Sequence, residues 1–234
     1  GTSLYLIIIS SRYCRLLFYL ILHLNHIIIA KFEIIKMGLI MDEINQQIRY
    51  YIEMAIIPQY EKFDDAHKCD HVQCVIENSL DLAQHYEVDI NMVYVIAAYH
   101  DVGLIYGRDV HHIESAKMLG NDKCLRQWFS NAQVEIMAQA VEDHRASNKH
   151  EPRTIYGKIV AEADRMISAD VIIRRTIQYG LKHYPNNSKE DHFVRFVEHI
   201  MEKYAEGGYL KLWIPQSPNA LRLKEFQQQI KTPN

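Results

Sequence analysis

A histidine and an aspartate, His100 and Asp101, follow directly after an apolar run of helical length. A neutral imidazole nitrogen and a carboxylate oxygen at the end of a buried helix can bind one divalent cation, and the second carboxylate oxygen can bind another. The alternative is a hydrogen-bonded core histidine beside a polar residue at a helix terminus. Gly103 is of the type that commonly ends a helix. The pair alone does not decide between these interpretations.

Four further residues of ligand type lie at the ends or on the inner faces of successive predicted helices: His71, His111, His144 and Asp164. His71 adjoins the apolar stripe of its helix, and His144 ends a run of apolar positions. Asp164 lies within an apolar segment, where an ionised carboxylate is costly without a cation or a hydrogen-bonding partner. The order His, His-Asp, His, His, Asp therefore indicates a metal site.

From Met41 onward the apolar residues recur at helical spacing, and no alternating stretch indicates a strand. The pattern predicts an all-α fold in which residues 41–234 form one domain with helices at its C-terminal end. The expected helices are residues 41–60, 69–86, 91–100, 112–119, 131–144, 154–169, 171–183, 191–205 and 219–230.

Residues 1–40 differ in kind, with eighteen Ile or Leu residues and one acid, Glu33. A membrane anchor requires about 20 uninterrupted apolar residues, but Arg12, Arg15 and several polar residues interrupt the run. A signal peptide would carry its basic residues first and a cleavage site afterwards. We favour the interpretation that native translation starts at Met37 or Met41, and we assign residues 1–40 no function.

The formal net charge is −3 and the basic residues are scattered, so no nucleic-acid partner and no membrane are expected. The four cysteines, Cys14, Cys69, Cys74 and Cys124, show no metal-binding pair and no disulfide-like spacing. This usage favours a reducing, cytoplasmic location. The sequence does not decide whether the chain forms a homo-oligomer.

The ligand-type residues lie in motifs that resemble the HD-domain superfamily of metal-dependent phosphohydrolases. The resemblance covers about residues 67–175 and rests on D-H-V-Q-C-V, Y-H-D-V-G, H-H-I-E-S-A, V-E-D-H-R and A-E-A-D-R-M. The four positions that define the family are present as His71, His100, Asp101 and Asp164. The resemblance implies an all-helical fold with a metal centre among its central helices.

His111 and His144 resemble the additional ligands of the family members that hold two metals, with His112 as the alternative to His111. In such a centre Asp101 bridges, His71 and Asp164 complete one metal, and His111 and His144 complete the other. The mixed ligands suit Mn, Fe, Co, Ni or Zn, at one or two ions per chain. The alternative is a single-metal site whose pocket the extra histidines line.

The sequence lacks the acids that follow the His-Asp pair in the guanosine tetraphosphate hydrolases and the small 5′-nucleotidases. It also lacks the Lys and the Gly-Tyr-Pro segment of the cyclic-dinucleotide phosphodiesterases. The resemblance is therefore to small stand-alone HD hydrolases. It predicts hydrolysis of a phosphate ester or anhydride of a small phosphorylated metabolite, in particular a nucleotide, by metal-activated hydroxide.

Asp101 is the central catalytic residue in this prediction. Arg165, expected about 100° around a helix from Asp164, is predicted to contact the phosphate, with an ion pair at the surface or between helices as the equal alternative. Weaker candidates for the same role are Lys68, Arg145, Arg108, Arg174 and Arg175. Two alternatives remain for the same scaffold: a di-iron oxygenase that acts on a small substrate, and a non-catalytic regulatory module.

Overall fold

The computed structural model describes residues 23–24, 27–62 and 69–231, and its regular elements are helices. These described ranges contain no strand, so the prediction of an all-α fold is confirmed. Among the described helices, none has the length and apolarity that crossing a membrane requires.

The chain divides between Glu43 and Ile44 into two compact units. In the first unit, helix α1 covers residues 27–42 and exposes several large apolar side chains, among them Phe32 and Ile34. A helix start at Met41 is therefore wrong. The next helix begins at Gln46, because the Asn45 side chain caps it by accepting the N–H groups of the second and third helical residues.

The second unit begins with α2 (Gln46–Tyr51), which continues as a π-helical turn (Ile52–Ile56) and a 3-10 turn (Ile57–Lys62). It continues with α3 (Cys69–Ala83), α4 (Ile90–Tyr99), a 3-10 turn (Val102–Tyr106), α5 (His111–Asn121) and a 3-10 turn (Cys124–Gln127). The remaining helices are α6 (Asn131–Asp143), α7 (Ile155–Ala163), α8 (Ala169–His183), α9 (Lys189–Tyr204) and α10 (Asn219–Lys231).

Helix α4 is the central element of this unit. Every residue from Met92 to Tyr99 is buried, so the helix is apolar on all sides. It packs against α3, α6 and α7. The Asp89 side chain caps its first turn by accepting the N–H of Asn91 at 2.9 Å. The buried position of α4 brings His100 and Asp101, which follow it, into the interior.

Helix α7 ends earlier than its apolar pattern predicts. It stops at Ala163, Asp164 is its C-terminal cap, and residues 165–168 are not helical. Short-range hydrogen bonds replace the helical ones there, and the N–H of Met166 donates to the Asp164 carbonyl at 2.9 Å. No glycine or proline marks this ending, so the periodicity could not reveal it. Asp164 therefore caps the helix, and Arg165 lies outside it.

A fully buried carboxylate, Glu162, joins α7 to the segment that precedes α10. It accepts the backbone N–H of Trp213 at 2.7 Å and the side-chain amide of Asn219 at 3.0 Å. The same amide donates to the Glu162 carbonyl at 3.0 Å. These bonds hold the C-terminal segment against the helix that ends at Asp164.

We expect Glu162→Ala to lower the free energy of unfolding by about 2 kcal/mol, because it removes the carboxylate that accepts the Trp213 N–H and the buried Asn219 amide. Urea unfolding followed by circular dichroism measures the change. Glu225→Ala, on the exposed side of α10, is the matched control and should change stability by less than about 0.5 kcal/mol. Equal stability of the two variants would contradict this role for Glu162.

Candidate metal centre

The centre is built around the residues that follow α4. His100 is fully buried at the helix C-terminal cap, and Asp101 is 5% exposed. Tyr60 fixes the local backbone, because its hydroxyl donates to the Ala98 carbonyl at 2.9 Å and accepts the N–H of Asp101 at 3.2 Å. The Asp101 carboxylate is therefore held in one position at the end of the central helix.

Three histidines of the centre share one hydrogen-bonding pattern. Nδ1 of His100, His111 and His144 lies 2.6 to 2.7 Å from the carbonyl oxygen three residues earlier. A carbonyl can only accept, so Nδ1 carries the proton in each ring. The Nε2 atom of the neutral ring is then left with a free lone pair, which is the arrangement of metal-binding histidines.

One group of ligand atoms forms around Oδ2 of Asp101. This oxygen lies 3.4 Å from Nε2 of His100 and 3.8 Å from Nε2 of His71. The two Nε2 atoms are 3.4 Å apart. Oδ1 of Asp164 approaches Nε2 of His71 to 3.3 Å. Helix α3, the end of α4 and the end of α7 thus contribute to a single cluster.

A second group forms around the other oxygen of the same carboxylate. Oδ1 of Asp101 lies 3.3 Å from Nε2 of His111 and 3.4 Å from Nε2 of His144. These two Nε2 atoms are 3.3 Å apart. The first residue of α5 and the cap of α6 supply the histidines. The structure therefore assigns one oxygen of Asp101 to each pair of histidines.

The chemistry of this donor set fits divalent cations. Between His111 and His144, the lone pairs of two Nε2 atoms face each other at 3.3 Å, a distance at which they repel. A cation between them and the carboxylate oxygen replaces that repulsion by attraction. The three atoms in each group are buried and mutually close enough for one ion. His71, His100 and Asp101 could hold one metal, with Asp164 adjacent, and Asp101, His111 and His144 could hold a second.

Burial and neighbouring charges set the protonation of the ligands in opposite directions. Burial, with the nearby His144, lowers the pKa of His111 to about 4, so this ring is neutral at pH 7. Burial also opposes the charged form of His100, but the carboxylate of Asp101 outweighs it and raises the pKa of His100 to about 9. A proton and a metal ion therefore compete for Nε2 of His100.

Both carboxylates of the centre remain ionised despite burial. Burial raises the pKa of Asp101, but the charge and hydrogen bond of His100 outweigh this and hold it well below its ordinary value. The pKa of Asp164 is likewise lowered, because the hydrogen bond and charge of His71 exceed the effect of burial. Two negative groups thus face the histidines at neutral pH.

Of the two adjacent histidines that the sequence leaves as alternatives, His111 lies in the centre. The His112 ring packs beside it with centroids 5.4 Å apart. Nδ1 of His112 is buried and has no hydrogen-bond partner among the described residues. Because successive residues of α5 point in different directions, only one of the pair can reach Asp101.

The predicted phosphate-contacting residues lie at different distances from the metal ligands. Arg165 is 6% exposed, and its Nη1 donates to the His144 carbonyl at 2.9 Å and lies 3.7 Å from the Asp164 carboxylate. Arg145 donates to the Asp109 carbonyl at 2.7 Å, at the edge of the same cavity. Lys68 lies outside the described residues.

Arg175, a weaker sequence candidate, reaches the metal ligands directly. Its Nη2 lies 3.3 Å from Nδ1 of His71, the histidine of the centre whose Nδ1 faces a guanidinium. Helix α8 brings it there, and this helix follows the non-helical residues 165–168. The spacing of Arg175 from the motifs gave no sign of this contact, because it depends on the direction in which α8 leaves the break.

A cavity of about 850 Å³ opens onto the centre. Metal-ligand candidates that line it include His71, Asp101, His111, His144 and Asp164. Apolar and cationic side chains line the remainder, and the cations of α8 and α9 are among them. The volume is in the range of binding sites for small molecules.

Comparison with known proteins places the centre in a family. Residues 69–169 match the family model of the HD domain. No curated protein matches the chain. Among solved structures, the chain is similar to a predicted HD superfamily hydrolase from an uncultured Thermotogales bacterium, with 22% sequence identity and a TM-score of 0.45. That likeness covers 66% of this chain and 86% of the other. The matched HD segment contains every residue of both ligand groups.

Proposed function

Because this chain belongs to the HD-domain superfamily, a family of metal-dependent hydrolases, we propose that it is a phosphohydrolase acting on a small phosphorylated metabolite in the cytoplasm. The proposed reaction is hydrolysis of a phosphate ester or anhydride, with a nucleotide as the favoured substrate. The proposed metal is Mn, Fe, Co, Ni or Zn, at two ions per chain.

The observation that carries this proposal is the division of Asp101 between two groups of ligands. Its Oδ2 faces His71 and His100, and its Oδ1 faces His111 and His144. A shared carboxylate between two histidine pairs supports a two-ion site, because each oxygen can hold one ion while the residue holds the two together. Paired ions of this kind are suited to displacement at a phosphoryl group.

Each residue then has a role set by its position. Asp101 holds the two ligand groups together, and Asp164 adds a second negative charge beside His71. When bound, the metal pair supplies Lewis acidity toward the phosphoryl oxygens and makes water a stronger nucleophile near neutral pH. Arg165 fixes the backbone of His144 and places a buried positive charge in the cavity, where a phosphate can meet it.

The cavity supports a small substrate. Its volume of about 850 Å³ accommodates a molecule of nucleotide size. The Tyr179 ring lines the cavity and is 38% exposed. No residue of the chain is required as a covalent nucleophile, since water supplies the attacking oxygen.

The test is metal content per chain, followed by phosphate release from a panel of nucleotides and sugar phosphates. We expect about two transition-metal ions per chain by plasma mass spectrometry, and turnover of at least one panel member. His100→Ala should lose that turnover by at least about a hundredfold, since it removes a fully buried ligand candidate. The exposed His85, changed to Ala, is the matched control and should keep both metal and turnover.

Three results would count against the proposal. Retained turnover in His100→Ala would remove the centre from the reaction. Bound iron, with O₂ consumption and no phosphate release, would favour the oxygenase. Protein that binds no transition metal, even when it is supplied, would favour a non-catalytic module.

A further inference from the structure

The cavity continues beyond the metal-ligand candidates along α8 and α9. The side chains that line it there include Arg108, Lys182, Arg195, His199 and Lys203. The acids that line the cavity are Asp101, Asp109 and Asp164. Asp101 and Asp164 belong to the metal centre, and Asp109 lies 3.8 Å from Arg145. The far part of the cavity is therefore strongly positive.

Three of these groups lie on one face of α9. Arg195, His199 and Lys203 are spaced four residues apart, which places them one above another on a helix. Arg195 lies 5.8 Å from the Tyr184 ring centroid, and Lys203 lies 5.1 Å from that of Tyr204.

Arg108 lies near the same region, although it precedes α5 in the chain. Its guanidinium lies 5.6 Å from the centroid of the Tyr179 ring, and Arg195 lies 6.0 Å from the same centroid. One aromatic ring of α8 therefore lies near cations from two separate segments of the chain.

Arg108, Arg195 and Lys203 have unused binding capacity. Within the part of the chain that the structure describes, no carboxylate forms an ion pair with Arg108, Arg195 or Lys203. Arg195 Nη2 donates to the Thr176 carbonyl at 2.6 Å, but its buried Nε has no partner. Nε of Arg165, a residue that is 6% exposed and lines the same cavity, also has none. Buried donors of this kind normally have an acceptor.

Burial and the neighbouring positive charges also lower the pKa values of two of these groups. Burial, followed by the nearby Arg165, lowers the pKa of Lys203 to about 8, with Arg108 and Arg175 acting in the same direction. The pKa of His199 is lowered by burial and then by Lys203 and Arg195. An anion among these groups would relieve the repulsion and satisfy the free donors.

We propose that Arg108, Arg195, His199 and Lys203 form a second anion subsite, which binds a phosphoryl group of the substrate other than the one at the metal centre. The inference rests on the proposed function and narrows its substrate to molecules with two or more phosphoryl groups. Arg165 and Arg175 lie beside the metal ligands, and the three α9 residues line the same cavity. A polyphosphate chain is the ligand with negative charge along its whole length.

Three of the four subsite residues lie outside the matched HD segment. The matched HD segment ends at residue 169, whereas Arg195, His199 and Lys203 lie on α9. The metal-ligand candidates thus lie in the HD segment, and the subsite combines Arg108 of that segment with three residues of α9.

The test compares inorganic tripolyphosphate with orthophosphate by isothermal titration calorimetry on the metal-loaded, full-length protein. The double variant Arg195→Gln, Lys203→Gln should bind tripolyphosphate at least about tenfold more weakly, and orthophosphate within about twofold of the parent. The double variant Arg222→Gln, Lys224→Gln changes two exposed cations of α10 and should bind both as the parent does. Metal content after titration checks that tripolyphosphate has not removed the metal.

Thermal unfolding gives a second measurement, which also shows that the variants fold. Tripolyphosphate should raise the Tm of the parent and of the α10 control, and should raise that of the α9 double variant much less. An unchanged tripolyphosphate affinity in the α9 variant, or an equal loss for both anions, would overturn the subsite. Binding is measured without turnover, so a protein that hydrolyses nothing would refute the proposed function and leave this result readable.

Discussion

The Asp101→Asn variant is expected to lose both metals and at least about a thousandfold of the hydrolytic rate. Paired metals supply several kcal/mol of transition-state stabilisation, and each 1.36 kcal/mol corresponds to a factor of ten in rate. Asp101 belongs to both ligand groups, through Oδ2 in one and Oδ1 in the other. The change keeps the size of the side chain and removes its charge, so the loss reports on the carboxylate itself.

The amide makes the change more severe than the loss of one ligand atom. One carboxylate oxygen becomes an NH₂ group, which donates hydrogen bonds and cannot coordinate a cation. Whichever histidine pair that group faces loses its anionic ligand, and the other pair retains only a neutral oxygen. Loss of both metals in this variant would indicate a shared carboxylate. Loss of one metal would indicate that the two ligand groups act independently.

Plasma mass spectrometry and phosphate release measure the two losses, and circular dichroism checks the fold. Asp70→Asn is the matched control: its carboxylate is exposed and precedes His71 in α3. This control should keep its metal and its rate to within about twofold. Two metals and full turnover in Asp101→Asn would contradict the central role of this carboxylate.

The sequence was sufficient to select the candidate ligands, because their residue types and order follow from local patterns. The apolar run before His100 indicates a buried helix end, and the HD resemblance supplies the partners. The sequence could not assign the two oxygens of Asp101, since that depends on how α3, α5 and α6 pack around α4. Nor could it choose between His111 and His112, which differ by only one helical step.

The same limit explains the residues around the metal ligands. Arg175 reaches His71 because α7 ends at Ala163 and α8 starts in a new direction after residues 165–168. The spacing of Arg195, His199 and Lys203 was visible in the sequence, but their position over the cavity was not. Local periodicity predicts which side chains share a helix face, whereas the element that this face meets is a property of the tertiary packing.

Gly103→Ala is expected to lower the free energy of unfolding by about 3 kcal/mol and to weaken the second ligand group. The sequence suggested that Gly103 ends a helix, but it lies in the 3-10 turn after Asp101 and touches α5. A Cβ there would lie 2.3 Å from the His111 carbonyl oxygen and 2.5 Å from the Ser115 nitrogen. Both are backbone atoms of α5, so a side-chain rotation cannot relieve the clash.

The clash couples stability to the metal centre, because α5 must move away and His111 is its first residue. The N–H of Gly103 also donates to the Ser115 hydroxyl at 2.8 Å, a bond that the displacement would break. Urea unfolding should show the loss of stability, and metal analysis should show less than two ions per chain. Gly120→Ala, in the same helix, meets only Ala138 at 3.8 Å and should be neutral or stabilising by up to about 1 kcal/mol. If Gly103→Ala behaved like this control, the close approach of the turn to α5 would not be what positions His111.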